Sequence, residues 1–94
     1  MKYFAWDKEK SEKLQREREV SFEDVLNAIE NKKVLEVQEH PNKKKYPNQK
    51  RIIIEINDYV YMVPYVEDEE KYFLETIIPN RKLTKIYLKE RKKI

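Results

Sequence analysis

The 94-residue chain has no cysteine, no glycine and one histidine, and no apolar run approaches the roughly 20 residues of a membrane-spanning helix. Without cysteine there is no disulfide or thiolate chemistry, and a reducing compartment suffices. One histidine backed by carboxylates is a poor zinc-ligand set. Without glycine no glycine-rich phosphate loop can form, which excludes P-loop and Rossmann nucleotide sites. Any phosphate must be held by Lys and Arg side chains or by helix N-termini. The opening, MKYFAWDKEK, lacks the apolar core of a secretory signal. These absences lead us to expect one cytoplasmic domain over residues 1–94, with no cofactor, no metal and no membrane contact.

Charge is plentiful: 41% of residues are Asp, Glu, Lys or Arg, with a net charge of +3. The sorting of that charge says more than its sum. Lys43, Lys44, Lys45, Lys50 and Arg51 fall in one stretch without an acid. Arg81, Lys82, Lys85, Lys89, Arg91, Lys92 and Lys93 fall in another, opposed only by Glu90. Between them Glu67-Asp68-Glu69-Glu70 forms an acidic turn expected to face solvent. Two cationic segments in a near-balanced chain point to a polyanionic partner. A merely solvated, lysine-rich surface is the plainer reading.

The pattern predicts β-α-α-β-β-β-β-α. Lys2 to Trp6 reads as a strand, and Asp7 as the cap of a polar helix from Lys8 to about Glu17. Ser21-Phe22-Glu23-Asp24 resembles a capping box, followed by the apolar stripe Phe22, Val25, Leu26, Ile29. Strands are expected at Lys33–Gln38, Arg51–Ile56, Tyr59–Val66 and Lys71–Ile78. His40 to Asn48 is a loop, and Asn57-Asp58 a tight hairpin turn without glycine. Pro79 breaks the last strand, Asn80 caps a final helix with Leu83, Ile86 and Tyr87 inward, and the end from Arg91 frays. The fold class is α+β, a mostly antiparallel sheet with the helices on one face. The isoleucine run of the central strand suggests burial on both of its faces.

Cutting RNA without a metal requires a base for the 2′-hydroxyl, an acid for the leaving oxygen and cations for the transition state. His40 heads the basic loop and is a candidate for proton transfer. Lys45, Lys50 and Arg51 would grip phosphate, and Tyr46 would stack a base. Arg81, Lys82 and Lys85 start the final helix, where cations oppose its dipole and an anion would relieve them. Tyr59, Tyr61 and Tyr65 share one sheet face; Tyr65 is a second stacking candidate. Arg18, beside the helix–helix turn, is placed to reach a neighbouring site.

Phe4-x-Trp6-Asp7-x-x-Lys10, with Arg16 through Val20-Ser21-Phe22-Glu23-Asp24, resembles the opening of BrnT-type toxins. Ile77-Ile78-Pro79-Asn80-Arg81-Lys82-Leu83-Thr84-Lys85 resembles their closing signature. The resemblance implies a RelE-like ribonuclease fold, inhibition of translation by mRNA cleavage, and a cognate antitoxin that neutralises by direct binding. Carried over by motif, it implies catalytic duties for Lys10, Glu23, Arg81 and Lys85. Arg18-Glu19 stand where the family has His-Gly, so no histidine role transfers there, and the loop from His40 to Gln49 lies outside the signature.

The expected function is therefore a metal-independent endoribonuclease toxin of a type II toxin–antitoxin system. Its partners would be RNA, including ribosome-bound mRNA, and an antitoxin. The alternatives are a non-catalytic RNA- or ribosome-binding module, and a protein-interaction partner such as an antitoxin or immunity protein.

Overall fold

The computed structural model describes residues 2–91, with side-chain surroundings over 2–88. The order is β1 (Tyr3–Trp6), α1 (Lys8–Arg18), α2 (Phe22–Glu30), β2 (Val34–Glu39), β3 (Gln49–Ile56), β4 (Tyr59–Glu67), β5 (Lys71–Leu74), β6 (Ile78–Pro79) and α3 (Arg81–Arg91). The strands form one mixed sheet in the order β1-β5-β4-β3-β2, with β6 also on β4. β1 runs parallel to β5; the other pairings are antiparallel. The α+β class is as expected.

Local signals account for most element ends. Asp7 accepts from the backbone N–H groups of Glu9 and Lys10 and starts α1. Ser21 and Asp24 form a reciprocal capping box at α2. Asn57 and Asp58 turn the β3–β4 hairpin at φ 52° and 62°, the left-handed values that Asn and Asp tolerate. Asn80 caps α3 by accepting from the Leu83 N–H at 2.8 Å. Residues 92–94, where fraying was expected, lie outside the described residues.

The helices do not share one face. α1 and α2 cover the side carrying Ile52, Ile54, Ile56, Val63 and Tyr65, with Leu14, Val20, Phe22 and Val25 buried against it. α3 covers the opposite side, where Leu88, Leu83 and Tyr87 pack on Ile53, Val60, Leu35 and Met62. The cause lies in β3. Ile52, Ile53 and Ile54 are all buried, so alternation puts apolar side chains on both faces and each requires a cover. Thr84 fixes the position of α3, its Oγ1 accepting from the Val60 N–H at 2.9 Å. Tyr87 ties the helix to β2 by donating to Glu36 at 2.7 Å. The inward stripe is centred on Leu83, Thr84, Tyr87 and Leu88. Ile86 therefore lies on the flank, 48% exposed, rather than inward.

The expected strand Lys71–Ile78 is interrupted. The Glu75 N–H donates to the Pro64 carbonyl at 2.9 Å, continuing the β4–β5 ladder by one step. In an antiparallel pair the return bond would come from the N–H of residue 64, which proline lacks. β5 ends at Leu74, and pairing resumes at Ile78 opposite Met62. One extra residue is accommodated between the two registers, the arrangement of a bulge.

We expect Phe22→Ala to lose about 3–5 kcal/mol and Ile53→Ala about 2–5 kcal/mol, each removing a fully buried side chain from a different side of the sheet. Urea unfolding measures both. An Ile53→Ala loss well under 1 kcal/mol would contradict the packing of α3 on that side.

Candidate functional site: a cationic cleft on the half-covered sheet face

α3 covers only the hairpin end of its sheet face. Toward the other end the same face carries Gln49 and Arg51 of β3 and Pro64 of β4, by alternation from Ile53 and Met62. The register sets four residues side by side across the strands. Gln38 pairs with Arg51, Arg51 with Pro64, and the Pro64 carbonyl holds the Glu75 N–H. A cleft of about 530 Å³ lies over this row, lined by Lys10, His40, Pro41, Gln49, Lys50, Arg51, Pro64, Glu75 and Thr76.

The loop from His40 to Gln49 is held by its own hydrogen bonds despite lacking glycine. The Asn42 N–H donates to His40 Nδ1 at 3.0 Å, and Asn42 Oδ1 accepts from the Lys45 N–H at 3.2 Å. The Tyr46 N–H reaches the Asn42 carbonyl, and the His40 N–H reaches the Gln49 carbonyl. His40 and Tyr46 pack ring to ring with centroids 4.5 Å apart, and the Lys45 ammonium lies 5.4 Å from the Tyr46 ring. Because Nδ1 accepts a hydrogen bond, neutral His40 carries its proton on Nε2. His40 lines the cleft, and in its neutral form the imidazole keeps Nε2–H as its donor.

The cations are held differently. Arg51 is pinned sideways, its Nε donating to Gln38 Oε1 at 2.6 Å. Lys50 Nζ lies 3.2 Å from Glu67, which also pairs with Lys2. The hydrogen bond that Lys50 donates to Glu67 raises the Lys50 pKa, so this ammonium stays charged. The bonds from Lys2 and then Lys50 hold Glu67 below the usual carboxylate range. Glu67 is thus half-buried, unlike the exposed Asp68, Glu69 and Glu70 of the same acidic turn, of which Asp68 pairs with Lys71 at 3.2 Å. Among the described residues, no ion pair engages Lys10 and no hydrogen bond or ion pair engages the Glu75 carboxylate.

The other sequence candidates lie elsewhere. Glu23 sits at the α1–α2 junction, accepting from Ser11 Oγ at 3.2 Å, while the same hydroxyl accepts from the Phe22 N–H at 3.2 Å. It lines a separate cavity of about 400 Å³ with Ser11, Gln15 and Arg16. Arg18 donates to the Ile77 carbonyl and so fastens α1 to the segment after β5. Tyr65 is only 6% exposed and packs in the core on the far face, which rules out base stacking there. Its burial pushes its hydroxyl pKa up, so the ring stays neutral. Arg81, Lys82 and Lys85 are exposed at the start of α3 and do not line the cleft. They share its sheet face, roughly 13 Å along β4 at about 3.3 Å per residue from Pro64 to Val60. Glu75 was missed by sequence reasoning. Its only signal was Pro64, whose missing donor marks where the neighbouring strand must leave the ladder.

No model of a known protein family, no curated protein and no solved structure matches the chain. Among the described residues no group of three or more His, Asp or Glu is placed to hold a metal ion, and no helix is long and apolar enough to cross a membrane.

Glu67 joins Lys2, just before β1, to Lys50 at the start of β3, and its depressed pKa gives a pH signature. A carboxylate with a lowered folded-state pKa stabilises above its unfolded value, and that contribution fades as pH falls through the folded one. We expect Glu67→Gln to lower the melting temperature at neutral pH and the difference from wild type to close on acidification. Thermal melts across pH check this. A gap that persists unchanged to about pH 2 would remove the ion pairs as its cause.

Proposed function

We propose that this protein is an RNA-directed toxin of a type II toxin–antitoxin pair, a metal-independent endoribonuclease with a RelE-like fold. The observation that carries the reading is the cleft itself, which Lys10 and Arg51 line together with His40 and its aromatic loop. The BrnT-like motifs at both ends of the chain support it, and the α+β architecture is compatible with the fold they imply. Phosphodiester cleavage concentrates negative charge on the phosphoryl oxygens, and fixed cations and N–H donors stabilise that charge more than the ground state. Arg51 and Lys10 clamp the phosphate, His40 Nε2 donates to a non-bridging oxygen, and Tyr46 stacks an unpaired base. A single strand fits this use, since a base paired in a duplex has no free face for Tyr46. Arg81, Lys82 and Lys85, farther along the same face, hold flanking phosphates. The antitoxin this reading requires would bring acidic segments to the cationic face.

Purified protein incubated with single-stranded RNA in the presence of a chelator tests the reading. We expect cleavage that yields 5′-hydroxyl ends. Arg51→Ala should slow it about 10²–10³-fold, the usual effect of removing one preorganised donor. It should also lower the salt dependence of RNA binding by about one unit of slope. Salt-dependent binding without cleavage would instead mark a binding module. Neither binding nor cleavage, with expression harmless to cells, would mark a protein-interaction partner.

A further inference from the structure

We infer that Glu75 is the general base of this cleft; the assignment rests on the ribonuclease reading above. Glu75 is the only carboxylate among the cleft-lining residues. His40 Nδ1 is occupied by the Asn42 N–H, which leaves the ring a donor toward the cleft. Glu23 is bound to Ser11 in another cavity. The remaining ionisable groups, Lys10, Lys50 and Arg51, carry positive charge.

The backbone places Glu75 with some rigidity. Its N–H is bonded to Pro64 at 2.9 Å, so it begins on the sheet row and not in free loop. Arg51 stands on the far side of Pro64, two strand spacings or about 10 Å away between Cα atoms. Proline is the short floor between them. Anything longer at position 64 would fill the space where a phosphate must sit between guanidinium and carboxylate. The extra residue after Glu75 then turns the chain off the ladder, and among the described residues none pairs with the carboxylate.

The step balances without a metal or an added reactant. The Glu75 carboxylate takes the 2′-hydroxyl proton, and the 2′-oxygen forms a bond to phosphorus. The bond from phosphorus to the 5′-oxygen breaks, and the leaving oxygen takes a proton from the Lys10 ammonium. The products are a 2′,3′-cyclic phosphate and a 5′-hydroxyl, and proton return from Glu75 to Lys10 through solvent closes the cycle.

Two substrates separate a base from every other role. One is ordinary single-stranded RNA. The other carries sulfur in place of the bridging 5′-oxygen, so its leaving group needs no proton. We expect Glu75→Gln to bind RNA at least as tightly as wild type, because a negative charge beside the phosphate is lost. It should cut both substrates about 10²–10⁴-fold more slowly, and the acidic limb of the rate–pH profile should disappear. Wild-type rates in Glu75→Gln, or rates restored on the sulfur substrate alone, would overturn the assignment. The second result would make Glu75 the proton donor. Weakened binding with an unchanged bound-state rate would overturn it too, reducing Glu75 to a positioning role. If wild-type protein binds RNA and cuts neither substrate, the ribonuclease reading itself falls and the assignment with it.

Discussion

Burial of β3 on both faces is the constraint on which the rest of the structure depends. Ile52, Ile53, Ile54 and Ile56 leave no face of this strand that can meet water, so helices must lie on both sides. A chain of this length has few helices to spend on two faces. α1 and α2 together cover one side, and α3 alone covers the other. A helix of 11 residues spans about 16 Å, roughly half the length of the nine-residue β4 at about 3.3 Å per residue. The part of the second face left bare is where the residues turn polar: Gln38, Gln49, Arg51 and Glu75. The cleft is thus the remainder after the apolar area has been covered, and its chemistry is set by what the uncovered row contains.

Building this without glycine raises a second constraint. Among the described residues four adopt left-handed backbone: Glu19, Lys32, Asn57 and Asp58. Asn57 and Asp58 do so at modest cost, because their short polar side chains suit the hairpin. Glu19 and Lys32 gain no such relief, yet they close α1 and the turn after α2, where reversal within one residue is required. The Glu19 N–H recovers part of the cost by bonding the Gln15 carbonyl. The loop from His40 to Gln49 avoids positive φ altogether and gets its shape from Asn42, which donates to His40 and accepts from Lys45 and Tyr46.

What could be read in the sequence was what neighbours along the chain decide. The capping box at Ser21, the hairpin at Asn57-Asp58, the alternation placing Tyr59, Tyr61 and Tyr65 on one face, and the double burial of β3 are all local or periodic. The side taken by α3 was not legible. An amphipathic stripe shows that a helix buries one flank; it does not show which of two apolar sheet faces receives it. Of the candidate residues, His40 and Arg51 line the cleft because the basic loop runs straight into β3, whereas Lys10 reaches it from α1 through the tertiary fold. Glu23 looked equivalent by motif, but its partner Ser11 lies 12 residues earlier, on another helix. Glu75 depends on register across β3, β4 and β5, which no local pattern encodes.

The row across the sheet also explains how a guanidinium and a carboxylate can share a cleft without neutralising one another. Arg51 and Glu75 are about 10 Å apart between Cα atoms, within reach of each other if both side chains extended over Pro64. A solvent-exposed pair of this kind is worth only about 0–1 kcal/mol. A hydrogen bond from a charged donor is worth about 1.5–3 kcal/mol, and Arg51 makes one to Gln38 on its other side. Gln38 accepts without carrying charge, so it draws the guanidinium away from Glu75 and leaves its positive charge unspent. A glutamate at position 38 would hold Arg51 equally well and cancel the field that an anion needs. The neutral amide at the sheet edge therefore keeps the cleft open and keeps it cationic.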